Sequence, residues 1–209
     1  MSYRHVIGMG ASEDRLEKLI QQRLEPGADK DKVDQRIWDL FGEEWCVMFT
    51  DLSGFSRGVA KFGIIHFLQT IYESERLLIP VIEDHDGILL KAEGDSLLVI
   101  FRNVDKAIQG TLRMHEVLHE YNKDKAPEEQ ILLCVGLGYG KVLRIGDQDV
   151  FGAEVNAASK LGEDTAEPWE ILVTGSVKDK AEVIPGLLFE ELSDAPPGAD
   201  RAYKITIRK

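Results

Sequence analysis

Two aspartates stand where a hard cation could be held. Asp51 ends the apolar run Cys46-Val47-Met48-Phe49-Thr50, and Asp95 lies between Ile88-Leu89-Leu90 and Leu97-Leu98-Val99-Ile100-Phe101. Gly54 follows Asp51 by three residues and Gly94 directly precedes Asp95. An acid at the lip of a buried strand, with glycine beside it to let backbone come close, suits a cation that carries phosphates. Taken singly, Asp51 reads as a turn or helix-capping acid and Asp95 as a hairpin-turn acid. If the two converge, they can hold Mg²⁺ for chemistry at a phosphoryl group.

The elements that must bring them together are strands alternating with helices from Trp45 onward. Strand 46–50 leads into an apolar helix over roughly 58–82, and Asp86-Gly87 reads as a hairpin-type turn. Strands 88–92 and 96–101 flank Glu93-Gly94-Asp95, helix 105–122 follows, and strands 131–137 and 141–145 enclose Gly136, Gly138 and Gly140. A loop over 146–151, a helix over 153–163, strand 170–174, a helix near 176–182, strand 187–191 and an edge strand over 202–208 complete the chain. This order predicts an α+β fold, a sandwich with a mostly antiparallel sheet and flanking helices. Residues 1–44 differ. Leu16, Leu19, Ile20 and Leu24 recur at helical spacing before Pro26-Gly27, and a second short helix spans roughly 31–41. These two helices carry too little apolar surface to fold alone, so they are expected to pack on the main domain, 45–209, or on a partner subunit.

Bulk properties narrow the function classes. The chain has 209 residues, 44% hydrophobic and 30% charged, with a formal net charge of −12, which suits one domain plus an extension. A surface this acidic argues against nucleic acid or an anionic membrane as partner. Cys46 and Cys134 both sit in apolar runs and read as buried thiols, no run reaches the ~20 residues of a membrane span, and Met1-Ser2-Tyr3-Arg4-His5 lacks a signal-peptide core. A cytoplasmic protein is expected.

Three segments together resemble the class III adenylate/guanylate (nucleotidyl) cyclase catalytic domain. Phe49-Thr50-Asp51-Leu52-Ser53-Gly54-Phe55-Ser56 is similar to its first metal motif and Lys91-Ala92-Glu93-Gly94-Asp95-Ser96 to its second. Phe151-Gly152-Ala153-Glu154-Val155-Asn156-Ala157-Ala158-Ser159-Lys160-Leu161 is similar to its third, and Ile171-Leu172-Val173-Thr174 to the strand that follows. The resemblance implies a ferredoxin-like βαββαβ core and two Mg²⁺ or Mn²⁺ per site, held by Asp51 and Asp95 with the Leu52 carbonyl as an extra ligand. One metal would acidify the ribose 3′-hydroxyl and the other neutralise the triphosphate as pyrophosphate leaves. Lys91 and Asp149 would read the purine, a pairing that favours ATP over GTP because an acid and a lysine satisfy the donor and acceptor of adenine. Asn156 would orient the ribose. In this family the sites lie at a homodimer interface, with the metal aspartates from one subunit and Lys91, Asp149, Asn156 and Lys160 from the other.

Two departures accompany the resemblance. Lys160 stands where the family has arginine, which keeps the charge and loses the planar fork. Residues 143–150 read as a short loop where the family has a longer dimerisation arm. Both favour the alternative of a catalytically weak or inactive cyclase-fold module that binds nucleotide or a partner. Two further motifs weigh less. His115-Glu116-Val117-Leu118-His119 matches HExxH on a helix but lacks a third ligand downstream. Gly136-x-Gly138-x-Gly140 runs from strand to strand, so no helix N-terminus faces a phosphate, and these glycines are expected to allow close packing beside the nucleotide.

Overall fold

The computed structural model describes residues 10–53, 62–181 and 184–208. Gly54, Phe55 and Ser56 of the first motif, and the expected helix start over 58–61, lie outside them. The elements run α1 (Ala11–Leu24), α2 (Lys30–Phe41), β1 (Gly42–Leu52), α3 (Ile64–Asp84), β2 (Ile88–Glu93), β3 (Ser96–Phe101), α4 (Val104–Asn122), β4 (Leu133–Ile145), β5 (Asp149–Phe151), α5 (Ala153–Ser159), β6 (Ile171–Thr174), α6 (Gly175–Lys180), β7 (Leu187–Glu191) and β8 (Ala202–Ile207). The sheet order is β2-β3-β1-β4-β6-β8-β7, with β5 paired to β4. Among the described residues only β4 and β6 pair in parallel, and every other pair is antiparallel. From β1 to β4 the chain follows the expected βαββαβ order.

β1 is central and buried on both faces, which explains why its apolar run is continuous rather than alternating. Cys46 and Met48 face the larger core, built with Val99, Phe101, Val135 and Leu137 against α3 and α4 (Leu78, Ile82, Ile108, Met114, Leu118). Trp45 and Val47 face the second core, with Leu98, Ile100, Val142, Val150 and Val155 under α5. The N-terminal helices take the first of their two expected options. Leu19, Val33, Ile37 and Phe41 pack with Ile145 and Leu143 of β4, and Arg23 joins Asp34 across the helix pair at 2.6 Å. An open apolar groove of about 430 Å³ remains there, lined by Ile20, Leu24, Trp38 and Phe151 among others. No described helix is long and apolar enough to cross a membrane.

Five sequence expectations change. Asp86-Gly87 closes a helix rather than a hairpin: Asp86 is left-handed (φ 57°) and the Gly87 amide donates to the Ile82 carbonyl at 2.9 Å. The strand over 202–208 is interior, since Ala202, Tyr203 and Ile205 are buried; the edge is β7, whose Glu190 and Glu191 are exposed as suits an unpaired border. Residues 143–151 form a hairpin rather than a loop, because Gly146 takes the left-handed turn (φ 59°) and Ile145, Arg144 and Leu143 pair with Asp149, Val150 and Phe151. The helix over 153–163 ends at Ser159 and continues as a π-helical segment over Lys160–Thr165. Finally, β4 is one strand through its three glycines.

Those glycines alternate along β4 and so share one face, and α5 lies directly on that face. A Cβ on Gly136 would stand 2.1 Å from the Ala158 carbonyl oxygen and 2.4 Å from the Gly162 nitrogen; on Gly138, 2.3 Å from the Glu154 carbonyl oxygen. From the other side, a Cβ on Gly162 would meet the Phe49 carbonyl oxygen at 2.7 Å. The glycines thus admit helix backbone rather than nucleotide. Glu154 fastens the contact, accepting from the Tyr139 amide at 3.1 Å and from Ser176 Oγ at 2.8 Å. Gly136→Ala is expected to cost about 3 kcal/mol or more, since the clash is with backbone that no rotamer change relieves, and urea denaturation with secondary-structure detection checks it.

Candidate active site

Asp51 lies next to last in β1, where the strand is leaving its neighbour β3. The ladder ends at Thr50 opposite Leu97, and Thr50 Oγ1, fully buried, accepts from the Leu97 amide at 3.1 Å. β2 and β3 are joined by Gly94-Asp95 between the paired Glu93 and Ser96. Gly94 is left-handed (φ 61°), which a two-residue hairpin turn with glycine first requires. That turn sets Asp95 near Asp51, two half-buried carboxyls each of which perturbs the other. Burial, then the charge of Asp95, pushes the Asp51 carboxyl up to about 6. Burial also raises the Asp95 carboxyl above its ordinary value. Leu52 closes the strand with its side chain buried.

Lys91 reaches the site through a bulge. β2 pairs Leu89 with Val99 but Lys91 with Leu98, leaving Leu90 as the extra residue. The bulge puts Lys91 on the face of Leu98, Val150 and Val155; in an unbroken strand it would point to the opposite face. There Lys91 Nζ donates to Asp149 Oδ2 at 2.6 Å, across 58 residues of sequence. The hydrogen bond to Asp149 raises the Lys91 ammonium above its ordinary value. Asp149 is fixed in turn by its Oδ1, which accepts from the Val150 amide at 2.9 Å. The two border a cavity of about 150 Å³ with Phe49, Leu98, Val150 and Val155 as apolar walls and Glu93, Ser96 and Glu163 as polar ones.

Asn156 and Lys160 are exposed, one turn apart along α5 and its π continuation. Lys160 Nζ pairs with Asp164 Oδ2 at 2.7 Å. Neither Asn156 nor Lys160, nor Asp51 and Asp95, lines the Lys91–Asp149 cavity. One chain therefore presents an acid pair, a lysine–aspartate pocket and a polar helix face as neighbouring but distinct groups.

Two residues near the site escaped the sequence reading. Glu163 accepts from Ser96 Oγ at 2.9 Å and from Ser159 Oγ, and its charge raises both Asp51 and Asp95. Leu90 produces the bulge. The signal that could have found Glu163 is its place one turn beyond Lys160. The HExxH residues serve packing. His115 and His119 both contact Trp169, edge-on at 5.6 Å and stacked at 4.0 Å, and burial holds the His115 imidazolium down at about 4. Among the described residues no three His, Cys, Asp or Glu side chains gather as a metal cluster. The donor set that fits a hard cation is the carboxyl pair with the adjacent Leu52 carbonyl, oxygen ligands throughout; further ligands would come from water or a triphosphate.

The acid pair makes the metal-free protein pH-sensitive. A carboxyl raised by folding favours the fold while protonated, so its contribution is present below the ordinary carboxylate range and is lost as pH rises through about 6. At pH 8 without metal, Asp51→Asn should therefore raise stability by about 1 kcal/mol after solvent screening, a few degrees in Tm. At pH 4 the difference should vanish, and thermal melts at both pH values in chelator check it.

Comparison with known proteins bears on the family and the fold. The family model for the adenylate and guanylate cyclase catalytic domain matches residues 42–193. Serine/threonine-protein kinase pkn2 of Myxococcus xanthus is 25% identical over 175 residues, covering 74% of this chain and 21% of the kinase. The Rhizobium meliloti protein named "Putative adenylate cyclase 3" is 24% identical over 133 residues, 64% of this chain and 22% of its own length. The chain thus spans under a quarter of either curated relative. Among solved structures, an adenylate/guanylate cyclase/hydrolase from Silicibacter pomeroyi superposes with a TM-score of 0.65 at 22% identity, over 80% of this chain and 99% of that one. The guanylate cyclase domain of RhGC from Catenaria anguillulae, in complex with GTP, gives 0.66 at 19% over 80% and 98%. The adenylyl cyclase CyaB from P. aeruginosa gives 0.63 at 18% over 80% and 96%. At these identities the structural likeness is one of fold, and with the family match over most of its length the chain belongs to the adenylate and guanylate cyclase catalytic domain family.

Proposed function

We propose that this domain converts ATP to 3′,5′-cyclic AMP and pyrophosphate at sites shared between two copies of the chain, in a reducing, cytoplasmic compartment that suits its free buried thiols. The observation that carries the reading is the meeting of Lys91 and Asp149 at 2.6 Å beside a cavity with apolar walls. An adenine seated there offers N1 to the Lys91 ammonium and its 6-amino group to the Asp149 carboxylate, while Phe49, Leu98 and Val155 cover the ring. GTP is the second substrate to test, since the Glu93 carboxylate on the same wall could accept from both the guanine N1–H and its 2-amino group.

Asp51 and Asp95, with the Leu52 carbonyl, would hold Mg²⁺ or Mn²⁺. Bound there, two such ions would supply Lewis acidity toward the ribose 3′-hydroxyl and neutralise the triphosphate. The proton Asp51 holds is released when cations enter, so binding strengthens as pH rises through about 6. Asn156 is free to orient the ribose. Lys160 offers positive charge to the α-phosphate after leaving Asp164, an exchange that costs little because exposed ion pairs contribute about 0–1 kcal/mol.

Homodimer formation is supported by incompleteness and by surface. The acid pair and the base pocket of one chain do not line a common cavity, so each needs a second copy to complete it. Apolar side chains crowd the surface of both: Ile64, Ile65, Leu68 and Tyr72 on the helix that follows the Asp51 strand, and Phe151 between Asp149 and Asn156, are all about half exposed or more. The alternative, a nucleotide-binding module with weak or no turnover, draws on Lys160, whose charge is already paired with Asp164.

Incubation of the pure protein with Mn²⁺ and ATP or GTP, with product separated by chromatography, should yield cyclic AMP in excess of cyclic GMP. Nucleotide binding without product would favour the alternative. Asp51→Ala and Lys160→Ala chains should each be inactive alone and on mixing regain up to about a quarter of wild-type rate, the statistical share of intact sites in a twofold dimer. Lys160→Arg should raise kcat about tenfold by restoring the forked donor, read from initial rates at saturating ATP.

A further inference from the structure

Glu163 has no role in the reading above, yet it touches both halves of the machinery in its own chain. Its Oε1 accepts from Ser96 Oγ at 2.9 Å, and Ser96 directly follows Asp95 in the β2–β3 turn. Its other oxygen accepts from Ser159 Oγ, and Ser159 directly precedes Lys160. The carboxylate therefore bridges the metal-side turn to the helix that carries Asn156 and Lys160. It can do so because of the π segment. One extra residue per turn lets the Ala166 amide bond the Leu161 carbonyl at 2.8 Å and seats Gly162 against the Phe49 carbonyl and Gly136. Phe49 is two residues before Asp51. Glu163, next after Gly162, is thus delivered over the end of β1.

We propose that Glu163 is a positioning residue: through Ser96 it fixes the Gly94-Asp95-Ser96 turn so that Asp95 stays matched to Asp51 for a divalent cation. This rests on the reading of Asp51 and Asp95 as metal ligands and goes beyond it, because Glu163 acts through its hydrogen bond to Ser96. Without the bridge the turn is a free two-residue loop at the sheet's edge, and Asp95 must be ordered each time metal binds. The bridge also makes the two half-sites of one chain move as a unit, so that metal held at one composite site restrains the ribose and phosphate contacts offered to the other. Glu163 adds negative field as well, and the two contributions separate by experiment: Ser96→Ala removes the hydrogen bond and leaves every charge in place, whereas Glu163→Gln removes the charge and keeps an oxygen acceptor.

The full chain, stripped of metal, is titrated with Mn²⁺ alone by calorimetry, and amide exchange across 93–97 is followed in the metal-free state. Glu163→Ala should weaken Mn²⁺ binding about tenfold, the scale of lost outer-shell support, and speed exchange across the turn. Ser96→Ala should reproduce both effects, and the double variant should be no worse than Glu163→Ala alone. Glu163→Gln should keep exchange slow across the turn. Wild-type Mn²⁺ affinity in Glu163→Ala, or a loss in Glu163→Ala that Ser96→Ala does not share, would overturn the proposal. A wild-type protein that binds no Mn²⁺ would remove it together with the metal reading; one that binds Mn²⁺ but forms no cyclic nucleotide would remove the proposed activity and leave the role of Glu163 standing.

Discussion

Backbone laid on backbone is the constraint from which the rest of this domain follows. Three glycines on one face of β4 let α5 and its π continuation sink until carbonyls and amides of helix and strand are neighbours with no side chain between them. Such a crossing has one solution in translation and rotation, because the interior is packed to near-crystal density and strand backbone does not yield. It decides where Asn156, Lys160 and Glu163 emerge, and it does so without any of those residues taking part. The second core under Trp45, Val47, Leu98 and Val155 then fills the remaining space and closes the cavity in which Lys91 meets Asp149.

Within this frame the polar groups fall into two electrostatic classes. Lys91 with Asp149 and Lys160 with Asp164 are neutralised pairs, each already satisfied in a single chain. Asp51 and Asp95 are the opposite: two acids, half buried, whose carboxyls burial raises above their ordinary range. A domain with net charge −12 gains nothing from more exposed acids, but a desolvated pair of them at a strand end is a local demand for positive charge. The satisfied pairs exchange partners at little cost, whereas the acid pair gains most from a new one.

Much of this was legible in the chain. The apolar runs and the Gly94-Asp95 turn have short-range causes, so the order of elements could be argued from local pattern, while the pairing of Asp51 with Asp95 was a condition that only the resemblance filled. The misreadings share a different origin. The three glycines looked like punctuation because what they accommodate, Glu154, Ala158 and Gly162 of the following helix, lies well beyond any local window. The Leu90 bulge leaves no compositional mark, and without it alternation puts Lys91 on the wrong face. The 143–151 segment looked like a loop because its strands are three residues long on one side and take their apolar partners, Leu19 and Ile37, from the N-terminal helices. Edge and interior strands could not be told apart for β7 and β8, whose order depends on pairing rather than on pattern.

The β4–β5 hairpin has one property that neither of its ends reveals alone. Leu143 and Ile145 are anchored in the core of α1 and α2, while Asp149, paired across the same ladder with Ile145, holds Lys91 at the mouth of the cavity. A three-residue ladder is too short to bend between those attachments. The hairpin therefore joins two attachments in one short ladder, the helix pair at one strand and the Lys91 contact at the other. The core that seats α1 and α2 and the pocket that Lys91 and Asp149 border are thus opposite ends of a single hairpin.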